Sequence, residues 1–283
     1  MTREDATQQV TSALDELAAA LDRGHSEQLT TYLATMARFP RYSLNNVLLI
    51  ACQRPDATYV AGFQAWKKLG RFVKKGESGI AIVAPMVYRH SAAQNHEHLA
   101  SSSDQKTTEG DLRGFKVAHV FDISQTEGNT LPDFAEVTGD PGLYAERLKN
   151  FLAGQGIDLQ YDEIPGGADG MYFNNTIVIR PGLSDAEHFS VLAHESAHAL
   201  LHKGERRAQT TKTIRETEAE AVAFVVSRAV GLDTSTHSAD YIHLYHGDRA
   251  ILIESLTHIQ KTALRIISSI QSVAATVATA CQC

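Results

Sequence analysis

Disulfides and cysteine-held metal are the first things this sequence argues against. Its three cysteines, Cys52, Cys281 and Cys283, are odd in number and two of them close the chain, a pattern that suits neither a disulfide framework nor a cysteine zinc site. Long apolar runs are missing too. No stretch reaches the roughly 18 uninterrupted apolar residues that mark a membrane span, and the opening MTREDATQQV lacks the apolar core of a secretory signal. A cytoplasmic protein without a membrane partner is expected. Positive charge is in short supply overall, because the net charge is −7, which argues against indiscriminate polyanion binding by the whole molecule.

What is present suits two modest domains. A length of 283 residues lets each bury its own core, and 43% hydrophobic with 21% charged residues is the balance of an ordinary folded chain. Val10, Leu14, Leu17, Leu21, Leu29 and Leu33 recur at near-helical intervals broken at Gly24, so two helices are read between Thr7 and Met36. Asn46 to Cys52 is a compact apolar run, Tyr59 to Leu69 a short helix, and Ile80 to Val87 and Phe115 to Ile123 are strands. The polar stretch from Ser91 to Arg113 cannot offset its ordering entropy by burial and is read as a mobile loop. A linker after Gln125 divides the chain into domains 1–128 and 129–283. In the second, a helix at Leu143–Leu152, a strand at Ile157–Ile164 and a hairpin turning on Asn174-Asn175 precede helices at Asp185–His202, Ile214–Val230 and Asp248–Val277. The expected fold class is α+β.

The chemistry concentrates in His194-Glu195-Ser196-Ala197-His198. Ser184-Asp185-Ala186-Glu187 is a capping-box pattern, so this run lies inside a helix. Two histidines four residues apart project from one helical face and can share Zn2+, with Glu195 beside the metal as general base. Val191, Leu192, Ala193, Ala197, Ala199 and Leu200 around them carry no charge, as expected of a helix buried behind a metal. A catalytic zinc needs a third protein ligand, and the next helix offers Glu216, Glu218 and Glu220. Glu216 and Glu220 share a face, whereas Glu218 points about 160° away. Glu216 is taken as the ligand and Glu220 as the carboxylate that orients a ligand imidazole; the two roles could be exchanged. Glu218 is read as merely solvating the helix start. His202, His237, His243, His246 and His258 are read as ordinary residues, with Tyr241 and His246 the places to look for an oxyanion-stabilising group.

The runs LAHESAHALLH and RETEAEAVAFVV resemble the ImmA/IrrE-type metallopeptidases, which group with thermolysin-like zincins. That resemblance implies a zincin-like second domain, a gluzincin-like peptidase with His194, His198 and Glu195 in the motif positions, and an acidic segment falling on Glu216 to Glu220.

Charge is unevenly spread. Between Arg38 and Tyr88 eight cations face only Asp56 and Glu77. This segment mixes cations and amides with aromatics: Arg41, Tyr42, Asn45, Asn46, Gln64, Trp66, Lys67, Lys68, Arg71, Lys74 and Lys75. Cations neutralise phosphates while aromatic rings stack on unpaired bases, although a solvated basic face with Trp66 and Phe63 in the core would look the same. The order YSLNN, a spacer, GFQAWKKLGRFVKKGESG and an apolar strand is similar to the N-terminal single-stranded-DNA-binding domain of ArdC-type antirestriction proteins, with ARFPRYS standing where many of them carry a Trp-rich entry. The two resemblances together cover most of the chain in the right order. They imply an antirestriction protein of a mobile element that binds single-stranded DNA, its zinc auxiliary. The alternatives are a zinc endopeptidase cleaving a specific protein such as a repressor, and an interaction module with a degenerate metal site.

Overall fold

The computed structural model describes residues 1–88, 111–130, 141–233 and 248–271. In chain order the first half runs α1 (Arg3–Asp22), α2 (Glu27–Arg38), α3 (Leu44–Gln53), β1 (Val60–Gly62), α4 (Phe63–Lys68), β2 (Arg71–Val73), β3 (Ile80–Tyr88), β4 (Asp111–Asp122) and β5 (Thr126–Gly128). The second half runs α5 (Gly142–Gly154), β6 (Asp158–Tyr161), β7 (Gly170–Phe173), β8 (Thr176–Ile179), α6 (Asp185–Leu201), α7 (Gly204–Gln209), α8 (Lys212–Ala229) and α9 (Arg249–Gln271). Helix and strand are both present, as expected of an α+β chain. No helix of the described residues is long and apolar enough to cross a membrane.

Several expectations need correction. The segment read as a linker after Gln125 begins as β5, whose Thr126 to Gly128 pair antiparallel with Val73 to Arg71. Its backbone amides therefore find partners in the first half of the chain. Most of the stretch read as a mobile loop lies outside the described residues, but Asp111 to Arg113 already belong to β4, where Asp111 pairs with Tyr88 and Leu112 with Val87. The strand expected at Ile157–Ile164 is only four residues long, and α7 has no counterpart in the sequence reading.

Among the described residues three small sheets result, ordered β1-β4-β3, β2-β5 and β6-β8-β7. The hairpin of β7 and β8 turns on Asn174 and Asn175, both with positive φ (49° and 60°), as a two-residue turn matching strand twist requires. Strand β6 then pairs parallel to β8, which leaves β7 at the sheet edge, over α6. β3 is also an edge strand, and α3 covers it in an unusual way. The Asn46 amide donates to the Val83 carbonyl (2.9 Å) and accepts from the Val83 N–H (2.8 Å). Gln53, two helical turns on, does the same with Ala81, both bonds being 2.9 Å. Two side chains thus stand in for a neighbouring strand and satisfy backbone groups that would otherwise invite another edge.

The main hydrophobic core is common to both halves. Leu17, Leu29, Leu33 and Val47 join Leu148, Phe189, Leu192, Val222, Val226, Ile259 and Ile266 in one buried cluster. Across it, α2 packs on α8 and α5 on α9, and Gln260 of α9 donates to the Tyr42 carbonyl. A smaller cluster of Phe39, Ile50, Val60, Ile80, Ile82 and Val120 fills the space between α3 and the first sheet.

Asn46→Ala removes both substitutes for strand pairing at Val83. With about 1–3 kcal/mol for each buried group left unpaired, denaturant unfolding should show a loss of about 2 kcal/mol or more. A loss within about 0.5 kcal/mol, the range of an ordinary surface change, would mean that water replaces the amide.

Candidate metal centre and nucleic-acid face

Helix α6 starts where a capping box forms: the Ser184 hydroxyl accepts from the Glu187 N–H and the Glu187 carboxylate accepts from the Ser184 N–H. Phe189, Leu192, Ala193, Ala197 and Ala199 bury its inner side. Helix α8 is capped by Thr211, whose hydroxyl accepts from the Ile214 N–H. The two run antiparallel, so His194 meets Glu220 and His198 meets Glu216.

Among the described residues His194, His198 and Glu216 form a group able to hold a metal ion. Nε2 of His194 and Nε2 of His198 are 3.1 Å apart, and they stand 3.6 Å and 3.4 Å from Oε2 of Glu216. Donors about 2.05 Å from a tetrahedral ion lie roughly 3.3 Å from one another, so these three fit one ion. Glu216 is half exposed, which leaves the side toward solvent for a further ligand. Nδ1 of His194 faces Oε2 of Glu220 at 3.3 Å, the direct carboxylate contact that orients a ligand ring.

The electrostatics match this crowding. Burial disfavours a proton on His194, but Glu216 and Glu220 outweigh it and lift its pKa to about 9. Hydrogen bonds to His194 and His198 hold the Glu216 carboxyl well below the usual carboxylate range. Glu195 is buried, and burial pushes its carboxyl up, with the Tyr172 backbone N–H among the groups opposing the shift. Strand β7 reaches it because residue 170 is glycine: a Cβ there would lie 2.6 Å from Val191 Cγ1 and 2.8 Å from Glu195 Oε1. Gly170 and Tyr172 therefore belong to the site, and only close backbone approach, which sequence spacing does not report, reveals them.

Two residues read as ordinary are not. His202 is buried, with Nδ1 2.9 Å from Nδ1 of His198 and Nε2 3.0 Å from Oε2 of Glu218. Glu218, expected to be solvated, is 0% exposed and ion-paired to Arg206. The 160° offset is real, but α7 and α9 cover the side of α8 to which Glu218 points. Burial opposes its ionisation, yet the His202 hydrogen bond and Arg206 outweigh it and lower its pKa; burial also lowers that of His202. Tyr241 and His246 lie outside the described residues.

On the basic segment the eleven candidates separate by exposure. Arg41, Asn45, Gln64, Lys67, Lys68, Lys74 and Lys75 are exposed. Trp66 is 0% exposed, and its indole N–H donates to the Phe121 carbonyl at 2.9 Å, so its ring is not available for stacking. Asn46 caps β3. Tyr42 packs against both core clusters. Arg71 ties β2 to β5 through Thr126 and Asn129, with its guanidinium 5.9 Å from the Trp66 ring centre. The aromatics facing solvent are others: Phe63 is 51% and Phe72 53% exposed. Phe63 lies four residues before Lys67 on α4, hence on the same helical face.

A two-histidine, one-carboxylate cluster with a buried glutamate between the histidines in sequence is the arrangement expected of an HExxH-type metal centre. Consistent with that class, residues 153–244 match the model of the IrrE N-terminal-like domain, of the M78 peptidase group. Residues 1–121 match the N-terminal domain of the anti-restriction factor ArdC. The chain thus carries an ArdC-type N-terminal domain followed by an M78 peptidase-like domain. The crystal structure of metal-free ArdC from the R388 plasmid is similar, with a TM-score of 0.52 at 21% identity over 93% of this chain and 98% of that one. The Mn(II)-bound structure of the same protein gives 0.51 at 20% identity, over 95% and 98%. At this identity the likeness is one of fold. An uncharacterized protein of Bacillus anthracis is 26% identical across 95% of this chain, which spans 52% of that relative's length.

Because His194 holds its proton up to about pH 9, a metal must displace that proton to bind. Divalent-metal affinity should therefore rise about tenfold per pH unit between about pH 6.5 and 8.5, measured by chelator competition. A flat profile would remove His194 from the ligand set.

Proposed function

We propose that this chain binds single-stranded DNA through its first 128 residues, shields incoming mobile DNA from restriction in the cytoplasm, and holds Zn2+ at His194, His198 and Glu216. The observation that carries the DNA reading is the pair of solvent-facing rings, Phe63 and Phe72, on a segment where Lys67, Lys68, Lys74 and Lys75 are also exposed. Exposed rings stack on unpaired bases, which a duplex does not offer, and the lysines neutralise phosphates. The match to the ArdC N-terminal domain directs that chemistry toward DNA.

Two imidazoles with one carboxylate suit zinc; the ArdC protein of the R388 plasmid has been crystallised with Mn(II) bound. The zincin-like reading of the second domain rests on the HExxH helix, the antiparallel α8 and the edge strand β7. Bound zinc would supply Lewis acidity toward a carbonyl and toward water. Glu195 would take the proton of the attacking water and pass it to a leaving amine. Its raised pKa suits both halves of that transfer. This favours, as a second reading, an endopeptidase acting on a protein such as a repressor.

Because the core is shared between the halves, the tests use the full chain. Combined Lys67→Glu and Lys68→Glu should weaken single-strand binding about tenfold or more at low salt and flatten its salt dependence. Phe72→Ala should lower affinity by about 1–3 kcal/mol, the usual worth of one stacked base. Fluorescence anisotropy with an unstructured oligonucleotide reads both, and unaltered binding in both variants would end the DNA reading. Glu195→Gln should keep the metal and DNA affinity. If it also keeps antirestriction activity in cells, shielding is the function; if that activity is lost, the peptidase reading takes its place.

A further inference from the structure

Behind the metal face a line of polar contacts leads from a ligand ring into the protein. It begins at Nδ1 of His198, 2.9 Å from Nδ1 of His202. At that distance one ring must donate and the other accept. The far nitrogen of His202, Nε2, lies 3.0 Å from Oε2 of Glu218. An ionised carboxylate only accepts, so Nε2 of His202 carries the proton and Nδ1 keeps its lone pair. The hydrogen in the 2.9 Å contact then belongs to His198. With its proton at Nδ1, neutral His198 presents a lone pair at Nε2, the atom 3.1 Å from His194 Nε2 and 3.4 Å from Glu216.

The carboxylate that sets this order is itself held. Arg206, brought in by α7, pairs with the other oxygen of Glu218 and bridges to Glu254 on α9. His202 and Glu218 have no exposed side-chain surface, so bulk water does not compete for these bonds. The two rings of the site are thus supported differently. His194 leans directly on Glu220, whereas His198 is reached through a second histidine.

We propose that His202 and Glu218 are positioning residues of the metal centre, a histidine–carboxylate relay that fixes the tautomer and ring orientation of His198 for metal. The proposal rests on the reading of His194, His198 and Glu216 as the ligand set. It assigns Glu218 a role distinct from that of its neighbours on α8: Glu216 and Glu220 act on the metal side, Glu218 from behind.

The test uses the full chain, labelled with 15N-histidine. In the metal-free protein the ring-nitrogen shifts of His202 should report the Nε2–H tautomer; an Nδ1–H tautomer overturns the relay. Zinc affinity, read by chelator competition, should fall about 10–100-fold in His202→Leu and about tenfold in Glu218→Gln, but by no more than about threefold in His202→Gln, whose amide keeps one donor and one acceptor. Denaturant unfolding measures the folded fraction of each variant. A purely structural role would lower stability and leave zinc affinity unchanged, which overturns the proposal. Should His202→Leu fail to fold, the two glutamine variants and the tautomer decide it. Wild-type protein that takes up no zinc overturns the metal reading and the relay with it. Wild type that binds zinc no more tightly than folded His202→Leu overturns the relay alone.

Discussion

The candidate metal face exists because α6 and α8 lie antiparallel and close. Ala193 and Ala197 on one helix, and Ala219 and Ala223 on the other, have almost no exposed surface. Small side chains at such contacts let helix axes approach toward the short end of the usual range. That approach sets His194 opposite Glu220 and His198 opposite Glu216, so four groups from two helices converge without any long loop to position them. Everything else at the site refers to this pair: β7 lies on α6 through Gly170, α9 packs on the rear of α8, and α7 reaches it through the Arg206–Glu218 ion pair. Crowding also accounts for the opposed shifts of His194 and Glu216: the carboxylates favour a proton on the ring and the rings favour the ionised carboxylate, in a cluster where a cation could take the proton's place.

The legible part of this site is the part encoded within single helices. The capping box at Ser184 and the four-residue spacing of His194 and His198 depend only on local geometry, and the shared face of Glu216 and Glu220 follows from helical periodicity. Their meeting across helices is inferable because the stretch between His198 and Glu216 leaves room for an antiparallel return. What escapes is everything that needs a third element. Glu218 looks solvated until α7 and α9 are placed around it, and His202 looks ordinary until Glu218 is known to be buried. Gly170 has no pattern of its own. Its importance comes from the distance between two backbones.

The basic segment shows the same limit from the other side. Residue types that recognise nucleic acid are also the types that satisfy backbone groups in a thin sheet. Asn46 and Gln53 complete the edge of β3, Trp66 donates to the Phe121 carbonyl, and Arg71 joins β2 to β5. Composition cannot separate these uses, because burial decides between them and burial follows from topology. Phe63 and Phe72 are the converse case. An aromatic at the start of a short helix or in a three-residue strand reads as core, yet elements that short leave half of each ring in solvent.

The partition into two domains is a statement about function more than about folding. The buried faces of α2, with Leu29, Leu33 and Met36, and of α8, with Val222 and Val226, belong to one cluster. Exposing five such side chains would cost about 1.5–3 kcal/mol each, roughly the whole stability of an ordinary domain. The halves are therefore not beads on a tether. Helix α8 carries Glu216 and Glu220 toward His194 and His198 while α2 packs against it, and Gln260 of α9 holds the Tyr42 carbonyl just ahead of α3. Movement of the first half relative to the second would have to disturb the helix that carries Glu216 and Glu220. The portions that match the ArdC and M78 models therefore share one buried core and are expected to unfold together.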